Sequence, residues 1–482
     1  MTATSANTPS LGNRLEFPSF GKSIGPGKVA LNVGMDAFGG YFESTQPSKD
    51  SSNFTSVFPA CNGMLYGNCI VSVESRIVDS GIWREGSVDR RPIPMSTRIS
   101  LAYSDGKAPH YAGEIKENAQ KQIPAGLNSV IWNLPDAPHA GGTSYLVSVF
   151  YSTFPRGTMQ QVLDFRAELV PVNFHPERAN YISSDSQTTA HAYMDYFDFP
   201  SQVEYKISIK LGVVATKIST FFNGRIQDPQ ISLDDEFLVI AGKPEKFPIA
   251  QSSVVSYVDL SKEQKRVFQD SSAENYISRT GFIGMIGDRD EVNFVNFNSW
   301  EKDLKEVGKL TAWNMSSAAN PGDCRTKKIG GFVSSNAMLY STTPPIWNSR
   351  NNSLNYQIAS LHLSNEGKIN VGNFDLLLHS DLIRCLWKRE ITEISSIQLE
   401  VLSTEGELKT STVSSRQEKE WFYLKVSNFS FSNPKISLKL SFKNSNAMTK
   451  NPKIKSLICK KGKVVKKVEG VNPKCPRGFK AK

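Results

Sequence analysis

The sequence predicts an all-β protein of tandem antiparallel β-sandwich domains, with a small disulfide-stapled β-hairpin tail at its carboxyl end. Three stretches carry this prediction, because apolar and polar residues alternate in them with a period of two. They are VEYKISIKL from Val203, SIQLEVL from Ser396 and PKISLKLSFK from Pro434. Strands of this kind bury one face and expose the other, as the strands of antiparallel sheets do.

Turn signals separate the predicted strands and suggest several sandwich modules. They are Ser104-Asp105-Gly106, Pro138 to Gly142, Asn365-Glu366-Gly367 and Thr404 to Glu407. Short strands punctuated in this way favour β-sandwiches over parallel α/β units. A chain of 482 residues is also longer than a domain with a single hydrophobic core usually is. We expect a flexible leader at 1–27, β-sandwiches at 28–165, 166–268 and 269–448, and a basic tail at 449–482.

The sequence predicts one short helix, in the third sandwich. The stretch SWEKDLKEVGKL places Trp300, Leu304 and Val307 on one helical face. Ser299 has the side chain of an N-cap residue, and Gly308 is a typical stop signal.

The positive charge of the chain is concentrated in the basic tail. The whole chain has a formal charge of +10. Residues 449–482 contain twelve Lys or Arg and one acid, Glu469, so that the tail alone carries +11 and the preceding residues about −1. Charge concentrated at one end of a chain indicates a polyanionic partner.

The tail sequence SLICKKGKVVKKV predicts a hairpin that turns near Lys461 and Gly462. A disulfide between Cys459 and Cys475 would close a loop of 15 intervening residues, which is worth about 3 kcal/mol in the chain-entropy model. Because so small a module has almost no core, this staple would decide whether it folds. The hairpin would display a cluster of candidate polyanion-binding residues, namely Lys460, Lys461, Lys463, Lys466, Lys467 and Arg477.

Three interpretations of the basic tail compete. It is a solvated end without a specific partner, an electrostatic attachment to an anionic envelope polymer or membrane surface, or a nucleic-acid-binding segment. The last is disfavoured because the tail has one aromatic residue, Phe479, and no recognised nucleic-acid fold around it. The second is favoured.

The six cysteines fall into three sequential pairs: Cys61 with Cys69, Cys324 with Cys385, and Cys459 with Cys475. None of them lies in a C-x-x-C motif, and zinc-ligand spacing is absent. They are either six buried thiols of a cytosolic protein or three disulfides of an exported one. The second interpretation is favoured.

The sequence contains no recognisable catalytic motif, and we predict neither enzymatic activity, nor a metal, nor a cofactor. Its six histidines show no zinc-protease spacing, and the nucleophile elbow and the phosphate-binding loop are absent. Paired carboxylates of a glycosidase converge in space without a sequence signature. An envelope-acting hydrolase with such a pair is therefore the alternative.

Aromatic residues cluster in the stretch AYMDYFDFP from Ala192. They are Tyr193, Tyr196, Phe197 and Phe199. Their rings either stack on sugars as an exposed platform or, as is commoner for such residues, pack in a core or between domains.

Two segments resemble parts of secreted actinobacterial proteins that have no assigned activity. The first is the tail itself, with the pattern C-K-K-G-K…P-K-C-P-R-G-F-K. The second runs from Pro344 to Trp387, with its PPIWN start and RCLW end. CNGMLYGNCIVSVESR and LPDAPHAGGTSYLVSV are similar to the amino-terminal half of these proteins. The resemblance implies export, disulfides and repeated β domains, and it brings no activity.

The predicted protein is therefore secreted or located at the cell surface, although the amino terminus lacks a secretory signal pattern. We expect an adhesin-like, glycan-binding or structural protein whose basic tail holds it to an anionic cell-wall polymer or glycan. Nucleic acid is not expected as a partner. A transmembrane span is not expected either, since no apolar stretch of about 18 residues occurs. The oligomeric state is left open.

Overall fold

The computed structural model describes the residues in the following ranges: 22–25, 28–30, 32–33, 44, 54–61, 67–78, 80–89, 114–118, 123–156, 160–175, 194–218, 220–252, 255–256, 261–262, 294, 297–298, 301–318, 321–322, 324, 326, 329–341, 343–402, 412–431, 435–442, 455–461, 464–470, 475 and 479–481.

The fold is all-β, as the sequence predicts. The strands of the first half are β1 (Lys22–Gly25), β2 (Lys28–Ala30), β3 (Asn32–Val33), β4 (Phe54–Val57), β5 (Cys69–Ile77), β6 (Arg84–Glu85), β7 (Ser87–Val88), β8 (Val130–Asn133), β9 (Ser144–Arg156), β10 (Gln160–Phe174), β11 (Met194–Tyr196), β12 (Val203–Lys210), β13 (Phe221–Gly224), β14 (Ile226–Asp234), β15 (Phe237–Ser252) and β16 (Val255–Ser256). The strands of the second half are β17 (Leu304–Ala318), β18 (Gly331–Ser335), β19 (Leu339–Tyr340), β20 (Ile346–Asn348), β21 (Ser353–Ala359), β22 (Val371–His379), β23 (Ile394–Leu402), β24 (Thr412–Glu418), β25 (Trp421–Ser430), β26 (Lys435–Phe442), β27 (Lys455–Lys461), β28 (Val464–Gly470) and β29 (Lys480–Ala481).

One long sheet runs in the order β4-β9-β10-β17-β13-β18-β22-β25-β24. Strand β8 pairs β9 and strand β11 pairs β10. The pairing of β13 with β18 is parallel, and the other pairings in this sheet are antiparallel. A second sheet runs in the order β6-β5-β12-β15-β14.

Two long strands, β15 and β17, join these sheets. The first half of β15 pairs β12 and β14, and its second half pairs the first half of β17. The second half of β17 then pairs β10 and β13 in the long sheet. Trp313 of β17 is fully buried, and its Nε1 donates to the carbonyl of Gly242 in β15 at 3.0 Å.

The main core is formed by side chains of both sheets. Its buried side chains come from both, among them Val147 and Leu169 of the long sheet and Ile207 and Ile240 of the second sheet. Strand β12 shows the predicted alternation along its whole length, since its residues are buried at every second position from Val203. The strand predicted from Pro434 is formed as β26, in which Ile436 and Leu438 are buried as expected, but Ser437 between them is buried as well.

The chain divides into two compact units. The first comprises residues 1–391 and 398–439, and the second comprises residues 392–397 and 440–482. The expected boundary at 165/166 falls inside β10, and the boundary at 268/269 is crossed by the pairing of β15 with β17. The described strands are therefore continuous or paired across both of these expected boundaries.

The helix predicted over Ser299 to Gly308 is wrong, because Leu304–Ala318 forms strand β17. Leu304 and Leu310 are buried, while Val307 is exposed. Gly308, predicted as a helix stop, has φ +155° and lies next to an irregularity in the β15–β17 register. It accommodates a bulge in the strand pair.

The α-helix α1 spans Ser380–Trp387 and directly follows β22. His379 is its N-cap, and Nδ1 of this residue accepts from the backbone N–H of Asp381 at 3.2 Å. The helix ends at Lys388, which has the left-handed conformation with φ +56°. In the part of the chain that the structure describes, no helix is both long and apolar enough to cross a membrane.

Two of the predicted disulfides are formed, Cys61–Cys69 and Cys324–Cys385. The second one ties α1 to a segment 61 residues earlier in the chain.

Candidate functional site

The basic tail contains a three-stranded antiparallel sheet in the order β28-β27-β29, which we call the tail sheet. The predicted hairpin is formed by β27 and β28, with Lys461 opposite Val464 at its closed end. The returning segment adds β29 to the other edge of β27, where Cys459 pairs with Ala481. Cys475, which precedes β29, is disulfide-bonded.

The tail sheet brings lysines of all three strands to one face. Lys460 of β27 lies opposite Val465 of β28 and opposite Lys480 of β29. Lys467 occupies a register position on the same face, because it lies two residues beyond Val465 in β28. Lys460 and Lys480 are both exposed to solvent. The sheet thus presents three cationic positions on this face, together with the acidic position of Glu469 two residues beyond Lys467.

The predicted cluster is therefore divided between the two faces. The register positions of Lys461 and Lys466 lie on the face opposite to Lys460, since Lys466 pairs with Cys459. Lys463 and Arg477 lie outside the described residues. Lys480 was not among the predicted binding residues, because sequence alone does not place a residue near the terminus beside a strand twenty positions earlier.

A different group of charges lies in the body, where no sequence motif indicated it. We call it the buried charge cluster, and it comprises Arg225, Asp228, Glu245, Asp375 and Lys425. These residues come from β14, β15, β22, β25 and the residue between β13 and β14. Arg225 is fully buried, while Glu245 and Asp375 are 4% and 5% exposed.

Backbone carbonyls and two aromatic rings hold the Arg225 guanidinium. It donates to the carbonyl of Ser335 at 2.7 Å, to that of Met338 at 3.2 Å and to that of Ala337. Its central carbon lies 3.9 Å from the ring centroid of Phe247 and 4.5 Å from that of Tyr340. Hydrogen bonds to carbonyls and contact with ring faces replace the water that Arg225 loses on burial.

Asp228 connects Lys425 with Asp375. Oδ1 of Asp228 accepts from Nζ of Lys425 at 2.6 Å, and its backbone N–H donates to Oδ2 of Asp375 at 3.1 Å. Asp228 has a left-handed conformation with φ +50°, at a register irregularity of β14. This local conformation turns the backbone N–H toward Asp375.

The environment shifts the pKa values of the cluster. The pKa of the Glu245 carboxyl is raised to about 8, chiefly by burial and also by the Asp375 carboxylate, while Arg225 and Lys425 oppose the rise. Burial also raises the pKa of Asp375 to about 6, against the effect of Lys425. For Lys425, burial lowers the pKa, but Asp375 and Asp228 outweigh it, and the net shift is upward. Glu245 is therefore mostly protonated at neutral pH.

Two carboxyl groups with raised pKa values meet one requirement of a general acid. Substrate access is a second requirement, and the low exposure of both side chains does not provide it. The arrangement is better suited to joining five segments of the body than to chemistry on an external substrate.

The aromatic stretch from Ala192 contributes to packing where it is described. Phe199 belongs to the main core and contacts Tyr145 and Tyr205. Phe197 packs on the ring of His139 with centroids 5.3 Å apart. Tyr196 packs against buried residues beside β11, and Tyr193 lies outside the described residues.

Another group of aromatic residues, the pair Trp347 and Trp387, lies beside the Cys324–Cys385 disulfide. The rings of Trp347 and Trp387 are 4.7 Å apart in an edge-to-face arrangement. Nε1 of Trp387 donates to the carbonyl of Asn352 at 3.2 Å, which fixes its orientation. Both rings are half-buried, and the neighbouring Ile346 is 68% exposed. This pair therefore offers aromatic surface to solvent.

Within the described residues, no three His, Cys, Asp or Glu side chains are grouped so that they could hold a metal ion. Comparison with known proteins yields no match to a protein-family model, to a curated protein or to a solved structure.

Proposed function

We propose that this chain is an exported binding or structural protein that its basic tail attaches to an anionic polymer of the cell envelope. The observation that carries the proposal is the separation of charge. The tail carries a formal charge of +11 and the rest of the chain about −1. The tail sheet supports it further, because a folded sheet holds lysines in fixed positions.

Export is proposed on the basis of the cysteines. Disulfides persist in oxidising compartments and are rare in the cytosol. Cys61–Cys69 and Cys324–Cys385 are compatible with an extracellular location, and Cys475 is disulfide-bonded as well. The similarity of the tail to secreted actinobacterial proteins points in the same direction.

Attachment would occur by charge pairing between lysines and phosphate or carboxylate groups. Individual exposed ion pairs contribute little, about 0 to 1 kcal/mol, so that only several together give useful retention. Retention should weaken as the salt concentration rises, because mobile ions screen exposed charges over about 8 to 10 Å at 0.1 to 0.15 M.

The body would then act as an adhesin-like or glycan-binding payload. Trp347 and Trp387 are our candidates for the sugar contact, because their rings are partly exposed and pack edge to face, and Trp387 is also hydrogen-bonded to the carbonyl of Asn352. A glycan array probed with the full chain and with a Trp387→Ala variant tests this assignment. Binding that the variant retains in full would contradict it.

The experiment for the attachment compares the full chain with a chain that ends at Met448. Both are mixed with isolated cell envelopes and with neutral cellulose, and the bound fraction is measured between about 20 and 500 mM salt. We expect the full chain to bind envelopes at low salt and to be released as salt rises, while the shorter chain stays in solution. Equal binding of the two chains would refute the attachment.

The alternative function is an envelope-acting hydrolase that uses Glu245 and Asp375. The raised pKa values of these carboxyls favour it, and their burial does not. Release of sugars from purified envelope glycan by the wild type, together with its loss in Glu245→Gln, would support this alternative.

A further inference from the structure

We propose that Lys460 and Lys480 form an anion clamp that binds one phosphate group of a phosphate-containing polymer between their two ammonium groups. The inference rests on the proposed attachment and extends it, since it names the residues, the face and the ligand group. Lys480 is the new member, because it was not part of the candidate cluster.

The clamp follows from the register of the tail sheet. Lys460 of β27 lies directly opposite Lys480 of β29, and both side chains are exposed. Residues directly opposite in an antiparallel pair have Cβ atoms about 4.5 to 5.5 Å apart and point to the same face. Two ammonium groups are therefore held on one side of the sheet within reach of a single small anion.

The pairing is unfavourable without a ligand. Like charges directly opposite each other destabilise a strand pair. The one acid of the tail, Glu469, lies opposite Ser456, four residues along β27 from Lys460. Four residues of a strand span about 13 Å, which is beyond the reach of a direct ion pair at this register. A bound anion would turn this repulsion into two attractions.

A phosphate group fits the two positions. Its phosphorus atom carries several oxygens, and an ammonium–oxygen contact spans about 2.7 to 2.9 Å. A single phosphate can thus accept from both lysines across the strand pair. Lysine binds phosphate as a point charge and does not require the planar, two-pronged geometry of Arg.

Lys467 extends the site to a second charged group of the same polymer. It lies on the same face as Lys460, at the diagonal position across β27 and β28. Diagonal neighbours are about 7 to 8 Å apart. A chain of regularly spaced phosphates can therefore contact the clamp with one group and Lys467 with the next, whereas a free phosphate gains only the clamp.

The test uses the full chain and linear polyphosphate as the probe, with binding measured by titration at low salt. Lys460→Gln and Lys480→Gln should each weaken binding about fivefold, and Lys480→Arg should retain it. The double variant should lose little more than either single variant, because the two lysines share one ligand group. The matched control is Lys461→Gln, which removes the same charge at the next residue but on the opposite face.

Three outcomes distinguish a failure of the clamp hypothesis from a failure of the attachment hypothesis. If Lys461→Gln weakens binding as much as Lys460→Gln, the clamp is refuted and diffuse attachment by the tail remains. If the chain that ends at Met448 binds polyphosphate as well as the full chain, the attachment itself is refuted. If inorganic phosphate or anionic phospholipid vesicles compete as well as polyphosphate at equal phosphate concentration, the polymer assignment is overturned.

Discussion

Nζ of Lys425 lies 2.6 Å from Oδ1 of Asp228, although the two residues are 197 positions apart in the chain. The backbone N–H of Asp228 is bound to Asp375, and Glu245 and Arg225 lie within electrostatic range. Charged groups that depend on one another in this way act as a unit, and the loss of one leaves the charges of the others uncompensated. The buried charge cluster should therefore dominate the response of the body to substitution and to pH.

Arg225→Met should lower the free energy of unfolding by about 3 to 5 kcal/mol, because it leaves buried carbonyls and carboxyls without their cation. Urea unfolding of the full chain, followed by tryptophan fluorescence, measures the change. The matched control is Arg384→Met, since Arg384 is exposed on α1 and pairs with Glu390 in solvent. A loss for the Arg225 variant no larger than that of the control would contradict the structural role of the cluster.

Stability of the body should fall as the pH rises from about 4.5 to about 8. Burial gives Glu245 a pKa of about 8 in the folded chain, against an ordinary value of about 4.5. The folded state therefore binds more protons than the unfolded state in this window, and stability decreases with pH across it. Above pH 8 the folded chain must hold a charged Glu245 beside Asp375 and Asp228, against which Arg225 and Lys425 compensate.

Glu245→Gln should remove the larger part of this decrease, while the raised pKa of Asp375 still contributes below about pH 6, and it should make the chain more stable than the wild type at pH 9. The melting temperature measured at pH 5, 7 and 9 checks this expectation. Glu366→Gln is the control, because Glu366 is exposed and its only described ion pair is with Lys368. An unchanged pH profile in Glu245→Gln would show that another group causes the decrease.

The sequence predicted those strands in which the buried positions hold apolar residues and the exposed positions hold polar ones. Strand β12 has an apolar residue at every buried position, and its alternation identified it directly. Strand β17 does not, because Glu306 occupies a buried position where it accepts from Nδ2 of Asn370 at 3.0 Å. This buried acid interrupts the period-two pattern, and the remaining Trp300, Leu304 and Val307 fit a helical period equally well.

The candidate sites also differ in how far the sequence reveals them. The charge of the tail and its hairpin are visible in the sequence, because the residues that form them are consecutive. The partner of Lys460 in β29 is not, since it depends on how the chain returns after Cys475. The buried charge cluster could not be predicted either, because 200 residues separate Arg225 from Lys425 and no local pattern connects them.

Removal of the Cys324–Cys385 disulfide should cost more stability than removal of Cys61–Cys69. The two bridges span 61 and 8 residues, for which the chain-entropy model gives about 4 and about 2.5 kcal/mol. Double Cys→Ser variants of each pair, compared by urea unfolding, measure the difference. The reverse order would show that local contacts outweigh loop closure at these sites.

The most direct measurement compares two triple variants of equal charge for retention on isolated envelopes at about 150 mM salt. One carries Lys460→Gln, Lys467→Gln and Lys480→Gln on one face of the tail sheet. The other carries Lys305→Gln, Lys368→Gln and Lys419→Gln at exposed positions of the body. The predicted result is that the tail variant is released while the body variant stays bound like the wild type. Equal retention of both variants would contradict attachment through the tail sheet.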